Sequence, residues 1–532
     1  MVKSLFYKKS DEPLHAYLFY LCLCLMLISL PTSIYFISVA QLLMGVNWLA
    51  EGQYREKIQR FLRNKPAVIF SLIYLVYISG IAWTTDLAYG IGYDLKNKVP
   101  ILTLTFLIAS NKPLRSDRLR GLITVFSLTV LVTSLIGFII FLSRDYINPR
   151  SISPFISHVY LSMMVVLSIF LIPWHTVQIT QSPRWHQLSW LASAWLLMYL
   201  FILSSITGIL CLGGVVVFLL LREIFSKSPL SRKILALATF TGMAAASLVL
   251  FLYVIRPLTV NISPEPLALT EKTNEGNAYR HDPQNLQREN GHLVYHYIAE
   301  DEIDTAWNER SQIAIDSTDH SGQPLKATVF RYLSSKGLRK DKEGINALTE
   351  QDIEAIEHGI PNYLYTRWPN LLVRLHQSAW EVFEYNRTGN PSGHTFTQRL
   401  ELWKGSAVAF KEQPLFGWGT GDIFIAMDYG LSAIDSKLDN FRMKPHNQYL
   451  VLLIMVGITG TLVFFLLYGW FLKESKAFRY LPFNIFLTIM LVSMLGNNPI
   501  DAQIGLSFFV FFSLYFGIML PENGTQEAGK EQ

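Results

Sequence analysis

One histidine stands where a polar stretch of the chain gives way to an apolar one. His446 follows Pro445 and begins the apolar run 446–471, which places it at a membrane surface near a helix N-terminus. The positive end of a helix dipole disfavours imidazolium and holds the ring neutral. A neutral imidazole is a general base near pH 7. A capping or interfacial histidine would occupy the same place, so position alone leaves both readings open. Arg442 and Lys444 lie just before it, and Arg399 lies early in an amphipathic pattern upstream. Cations grouped around one histidine suit a diphosphate, which arginine grips with parallel N–H donors. The same cations fit a solvated face, or side chains that snorkel toward lipid headgroups. Gly417, Gly419 and Gly421 can offer backbone amides to an anion. No strand precedes them and no Gly-Lys-Ser follows, so ordinary turn chemistry is the competing account.

Other chemistry-bearing residues are weaker candidates. Glu300, Asp301, Glu302 and Asp304 form an acidic run that can hold a metal or simply be solvated. His158 opens an apolar stretch and lines a cavity or sits satisfied in the core. Cys22, Cys24 and Cys211 all lie inside apolar runs, which excludes a disulfide framework and a zinc site.

The elements that must position these residues are membrane spans. Of 532 residues, 51% are hydrophobic and only 16% charged, and the mean hydropathy is +0.29. An ordinary soluble protein is nearer a quarter charged, so a disordered chain and a cytosolic enzyme are excluded. Stretches of about 20 apolar residues predict spans. They fall near 15–30, 33–49, 67–84, 99–110, 121–143, 156–173, 189–205, 207–224, 233–255, 446–471, 482–498 and 503–521. The chain reads as an all-α polytopic membrane protein of about twelve transmembrane helices with one large, mainly helical loop domain. The N-terminus lacks a small-residue cleavage site and is expected to remain as the first span.

Lysine and arginine set the orientation. They crowd the N-terminus (Lys3, Lys8, Lys9), the segments 55–65, 112–120, 222–233 and 473–479, and the tail at Lys530. The short segments on the other side carry only Lys96, Lys98, Arg144 and Arg150. Both termini are therefore expected to be cytoplasmic. The predicted domains are 1–255 with nine spans, an outer loop domain 256–445, 446–521 with three spans, and a cytoplasmic tail 522–532. The loop domain holds 20 Lys and Arg against 26 Asp and Glu, a charge of −6, which leaves +11 on the rest of a +5 chain.

Within that loop, Pro257 to Asn290 reads as loosely wrapped. Thr349-Glu350-Gln351-Asp352 predicts a capped helix start that Gly359 closes. Leu371, Leu372, Leu375, Ala379, Val382 and Phe383 repeat at helical spacing over 370–386. Leu400, Trp403, Ala407 and Phe410 do the same over 397–412, and Pro414 stops that helix. The subdomain is expected to act as a lid over the outer ends of the spans.

Taken in order, four elements resemble a known family. They are Arg399-Leu-Glu-Leu-Trp403, Pro414-Leu-Phe-Gly417-Trp-Gly419-Thr-Gly421, Pro445-His446-Asn447-Gln448-Tyr449-Leu450 and Gly457-Ile-Thr-Gly460. The set is similar to the O-antigen ligase / O-antigen polymerase superfamily, whose members have about twelve spans and a large late periplasmic loop. The resemblance implies transfer of a glycan from undecaprenyl diphosphate to a sugar hydroxyl of lipid A–core, at the periplasmic face of a bacterial inner membrane. It implies that His446 activates the acceptor and Arg399 binds the diphosphate. Arg442, Lys444, Asn447, Gly417, Gly419 and Gly421 are then the candidate donor or acceptor contacts. It implies an inverting enzyme needing no metal or other cofactor. Expected partners are the lipid-linked donor, lipid A–core and membrane lipids, with no nucleic acid. A polysaccharide polymerase and a protein O-oligosaccharyltransferase use the same donor and remain alternatives. A glycolipid transporter is the non-enzymatic alternative, and the near absence of charges within the spans counts against it. The sequence departs from the family at Ser204-Ser205-Ile206-Thr207-Gly208, where Ile206 stands in place of an arginine. Arg442, Lys444 and Arg256 are the cations available to replace it.

Overall fold

The computed structural model describes residues 6–143, 149–260 and 271–520, with backbone only at 149 and 150. The expected tail 522–532, Lys3, Arg144, Lys530, the side chain of Arg150 and the stretch 261–270 lie outside the described residues. The described chain is predominantly helical, in accord with the all-α polytopic reading.

Among the described residues, eight helices are long and apolar enough to cross a membrane. They are Ile34–Glu51, Lys65–Trp83, Ser116–Leu142, His158–Ile179, Pro183–Leu203, Ile206–Ile224, Leu230–Thr259 and Gln448–Ser475. Three of the remaining predicted spans are shorter apolar helices: Leu14–Ser29, Leu481–Gly496 and Gln503–Met519. The fourth, expected at 99–110, is the end of a helical run that starts at Leu87 and finishes as Pro100–Ser110. Local chemistry sets the helix starts. The Asn64 side chain accepts from the Ala67 amide with Pro66 in the first turn, and Ser205 accepts from the Gly208 amide.

The chain divides into two compact units. Among the described residues the first comprises 6–143, 149–236 and 398–520. Gln503–Leu514 lies at its centre, with Phe508, Phe509, Phe511 and Phe512 all buried. A helix apolar on every side is stable only when surrounded. Ion pairs gather the basic segments at one end: Lys9 with Asp117 at 2.7 Å, Arg118 with Glu12 at 2.5 Å and Lys65 with Glu474 at 2.8 Å. Arg60 joins them through the Ser110 carbonyl at 2.5 Å. The turns at 204–207, 417–422, 444–447 and 497–501 lie at the opposite end of the helices.

Hydropathy assigns 398–445 to the outer loop, whereas its packing lies with the spans. The reason is a pair of short helices, Thr395–Glu412 and Ile423–Ser432, that cross closely because Gly405 meets Gly430 without side chains between them. Their apolar faces complete the core of the first unit.

The second unit, which among the described residues is 237–260 and 271–397, packs Glu300–Arg310, Leu325–Ser335 and Glu350–Glu357 around buried Trp307, Tyr332 and Ile353. The predicted cap is present: Thr349 accepts from the Asp352 amide, and Asp352 accepts from the Thr349 amide. Gly359 closes the helix with φ +80°. Asn370–Thr388 matches the predicted 370–386 helix.

Candidate functional site

The site is built on one hydrogen bond between two distant segments. The Trp403 Nε1–H donates to the Pro445 carbonyl at 2.9 Å. Arg399 lies four residues before Trp403 on the same helix, so both side chains share a face. That contact sets Arg399 beside the residue following Pro445, which is His446.

His446 adopts a left-handed backbone with φ 52°. Such a conformation is uncommon for a residue with a Cβ and persists where its neighbours hold it. Here they do so on both sides. Asn447 caps Gln448–Ser475 by accepting from the Tyr449 and Leu450 amides, and its Nδ2 donates to the Leu495 carbonyl at 3.1 Å. The Gln448 amide donates to the Asn497 carbonyl at 3.1 Å, and Gln448 Oε1 accepts from the Ile500 amide at 3.0 Å. The 495–500 loop therefore wraps the start of this helix, and its Asn498 side chain donates to Asp501 Oδ2 at 3.4 Å. Asn497 also donates to Thr207 Oγ1 at 3.0 Å, which ties in the turn that carries Ile206.

His446 is half-buried and its pKa is lowered. Burial is the larger cause and the Arg399 charge the second, partly offset by Asn498. Burial and the Arg399 charge thus favour the neutral ring in addition to the helix N-terminus.

Lys444 does not project a free cation. Its Nζ lies 3.1 Å from Asp94 Oδ1 and 3.4 Å from Asp501 Oδ2. Lys98 Nζ lies 3.3 Å from the same Asp94 oxygen and 2.9 Å from Asp501 Oδ1. Two lysines and two aspartates form a buried square of zero net charge, flanked by the rings of Tyr77, Tyr89 and Tyr93. Burial alone would raise Asp501, but Lys444 and Lys98 overcome it and hold the carboxyl well below the usual range. The square fixes the chain two residues before His446 to the Asp94–Lys98 turn and to the 497–501 loop. Arg442 stays exposed, its guanidinium over the Phe424 ring, with no carboxylate within ion-pairing distance among the described residues. Arg256 belongs to the other unit, and His158 is half-exposed at the first turn of its helix.

The three glycines are engaged by the fold. Gln448–Ser475 breaks at Gly457, whose φ is 64°. A broken helix in a membrane leaves backbone groups that must find partners. The 414–419 segment supplies them. Trp418 and Gly419 amides donate to the Ile454 and Met455 carbonyls at 2.7 and 3.0 Å, while Ile458 and Thr459 amides donate to the Pro414 and Leu415 carbonyls at 2.9 and 3.1 Å. A Cβ on Gly417 would fall 2.6 Å from the Gly457 nitrogen, so only glycine allows this approach. The Gly417 amide donates to the Gln413 carbonyl at 3.1 Å, and the Gly421 amide to Thr84 Oγ1 at 2.8 Å. Asp422 then accepts from the Thr85 and Asp86 amides at 2.7 and 2.8 Å. All three glycine amides have protein acceptors, the arrangement expected of turn chemistry.

The acidic run at 300–304 is likewise engaged. Glu300 and Asp304 pair with Lys326, and Glu302 accepts from Thr273 and Asn277. Among the described residues no group of three or more His, Cys, Asp or Glu is placed to hold a metal ion.

Asp94, Lys98, Asn498 and Asp501 are absent from the sequence-derived set. Their signals were an Asp and Lys four apart beside an apolar helix, and an acid in the short turn between two spans. No curated protein matches the chain. Residues 359–465, which contain every site residue predicted from the sequence, match the family model described as O-antigen ligase.

Proposed function

We propose that this protein is an O-antigen ligase that transfers a glycan from undecaprenyl diphosphate to a sugar hydroxyl of lipid A–core at the periplasmic face of the inner membrane. Members of the matched family are glycosyltransferase-like enzymes. The observation that carries the reading is a wedged His446, its pKa lowered by burial and by Arg399, beside that arginine and joined to it through the Trp403–Pro445 hydrogen bond.

In the proposed reaction the acceptor oxygen attacks the anomeric carbon of the donor. His446 takes the hydroxyl proton as the new C–O bond forms. The bond from that carbon to the diphosphate breaks, and the diphosphate leaves with the electron pair. Arg399 binds the diphosphate and offsets the charge that builds on it, with exposed Arg442 as a second cation. Lys444 serves in this scheme by holding the chain before His446, and Asn447 by capping the helix after it. The leaving group is already activated, so the scheme needs no metal or nucleotide. A single displacement inverts the anomeric configuration.

Reconstitution tests it. Proteoliposomes with a lipid diphosphate glycan are offered lipid A–core and a second donor as competing acceptors, with and without chelator. Glycan on lipid A–core in the presence of chelator is expected. His446→Ala should abolish it while the protein still inserts, and Arg399→Lys should recover only part of the loss caused by Arg399→Ala. Glycan extended on the second donor instead identifies a polymerase, and full activity in His446→Ala refutes the chemistry.

A further inference from the structure

The short helix Tyr54–Arg63 presents two open faces at the end of the first unit where the basic segments gather. Tyr54, Ile58 and Leu62 repeat every four residues and are 48%, 43% and 63% exposed. Helical spacing makes them one stripe. Glu56, Gln59, Arg60 and Arg63 make another, and this second face lines an open cavity of about 580 Å³. Lys65 and Glu474 complete its charged wall, and Gly517 and Ile518 lie against it.

The cations around this helix differ in their partners. Lys57 is buried and paired with Glu51 at 2.8 Å. Lys65 is paired with Glu474 at 2.8 Å. Arg60 gives an N–H to the neutral Ser110 carbonyl at 2.5 Å. Among the described residues, no carboxylate oxygen lies within 4.0 Å of Arg55, Arg60 or Arg63. Inside the cavity, Arg60, Arg63 and Lys65 face Glu56 and Glu474, an excess of one positive charge. A phosphodiester carries one negative charge. An exposed apolar stripe on one side of a helix and arginines on another is the pattern of a helix lying in a bilayer interface, and basic pockets between spans take anionic headgroups.

We propose that this cavity binds the phosphate of an anionic glycerophospholipid, with Arg60 and Arg63 as donors and Tyr54, Ile58 and Leu62 among the acyl chains. The site is remote from His446 and independent of the transfer reaction, so its test reads binding alone. The full chain in detergent is titrated with phosphatidylglycerol, phosphatidylcholine or inorganic phosphate, and bound lipid is counted by native mass spectrometry alongside thermal unfolding. Phosphatidylglycerol should bind and raise the unfolding temperature, and phosphatidylcholine should do neither at the same concentration. Arg63→Gln should weaken phosphatidylglycerol binding about tenfold, and Arg60→Gln/Arg63→Gln should remove it. Arg63→Gln leaves the Arg60–Ser110 bond in place, so it reports even where the double variant unfolds. Equal binding of both lipids, or unchanged phosphatidylglycerol binding in Arg63→Gln, overturns the proposal. Inorganic phosphate alone reproducing the shift assigns a soluble anion and overturns the lipid.

Discussion

Lys444→Met separates two roles for a cation beside His446. Methionine keeps an unbranched chain and removes the charge. In the native protein two ammoniums face two carboxylates, and Asp94 and Asp501 are 1% and 7% exposed. Without Lys444, Lys98 alone faces both acids. Coulomb's law at an effective dielectric of about 20 gives roughly 5 kcal/mol for one contact at 3.1 Å. Desolvation opposes it, and removing one partner of a buried pair destabilises by about 3–5 kcal/mol because a charge is left uncompensated. We therefore expect Lys444→Met to lower the thermal unfolding temperature in detergent markedly. Adding Asp94→Asn restores neutrality, because Lys98 keeps Asp501 at 2.9 Å. The double variant should recover most of the unfolding temperature and, with it, transfer activity. A cation that grips the diphosphate behaves differently. Lys444→Met would then unfold at the native temperature with a raised donor KM, and Asp94→Asn would rescue nothing. That result would refute the charge-square account.

The pH profile and a glycine test the remaining parts of the site. Burial and Arg399 hold His446 below its ordinary 6.5, so the neutral base persists as pH falls through that value and transfer should decline only below it. Removing the Arg399 charge lifts one of the two depressing causes, so the acid limb of kcat/KM against pH should move upward in Arg399→Met; an unmoved limb would mean another group titrates. Gly417→Ala puts a Cβ 2.6 Å from the Gly457 nitrogen at φ +72°, a backbone costing about 1–2 kcal/mol for an L-residue before any clash. Its unfolding temperature should fall and proteolysis near 413–421 should quicken, whereas Gly45→Ala, whose Cβ meets nothing within 4 Å, should change neither.

Hydropathy located the helices well because burial in lipid or core demands the same long apolar runs. The capped helix at 350–357 was equally legible, since Thr349 and Asp352 act within one turn. The stretch 398–445 was not. Its composition is mixed, and its place depends on close approaches at Gly405 and Gly430 that no periodicity records. The break at Gly457 was hidden for the same reason. Gly457 and Gly417 are forty residues apart, and each is necessary only because the other is there.

Charge was the least legible property, because its function depends on what faces it. In the sequence Arg399, Arg442 and Lys444 look alike: three cations upstream of one histidine. In space they part. Lys444 meets Asp94 and Asp501, which come from two other segments, and its charge is cancelled. Arg399 faces His446 closely enough to lower its pKa, and Arg442 remains exposed. The partners that make this distinction lie about 350 residues upstream and 57 residues downstream of Lys444. An ionic contact has no local period, so it leaves no trace in one sequence beyond the presence of an acid where a span should end. Asp501, in the turn between two apolar helices, was such a trace. Read as a residue that a membrane end tolerates only when paired, it points to a cation at the same depth, and Lys98 and Lys444 are those cations.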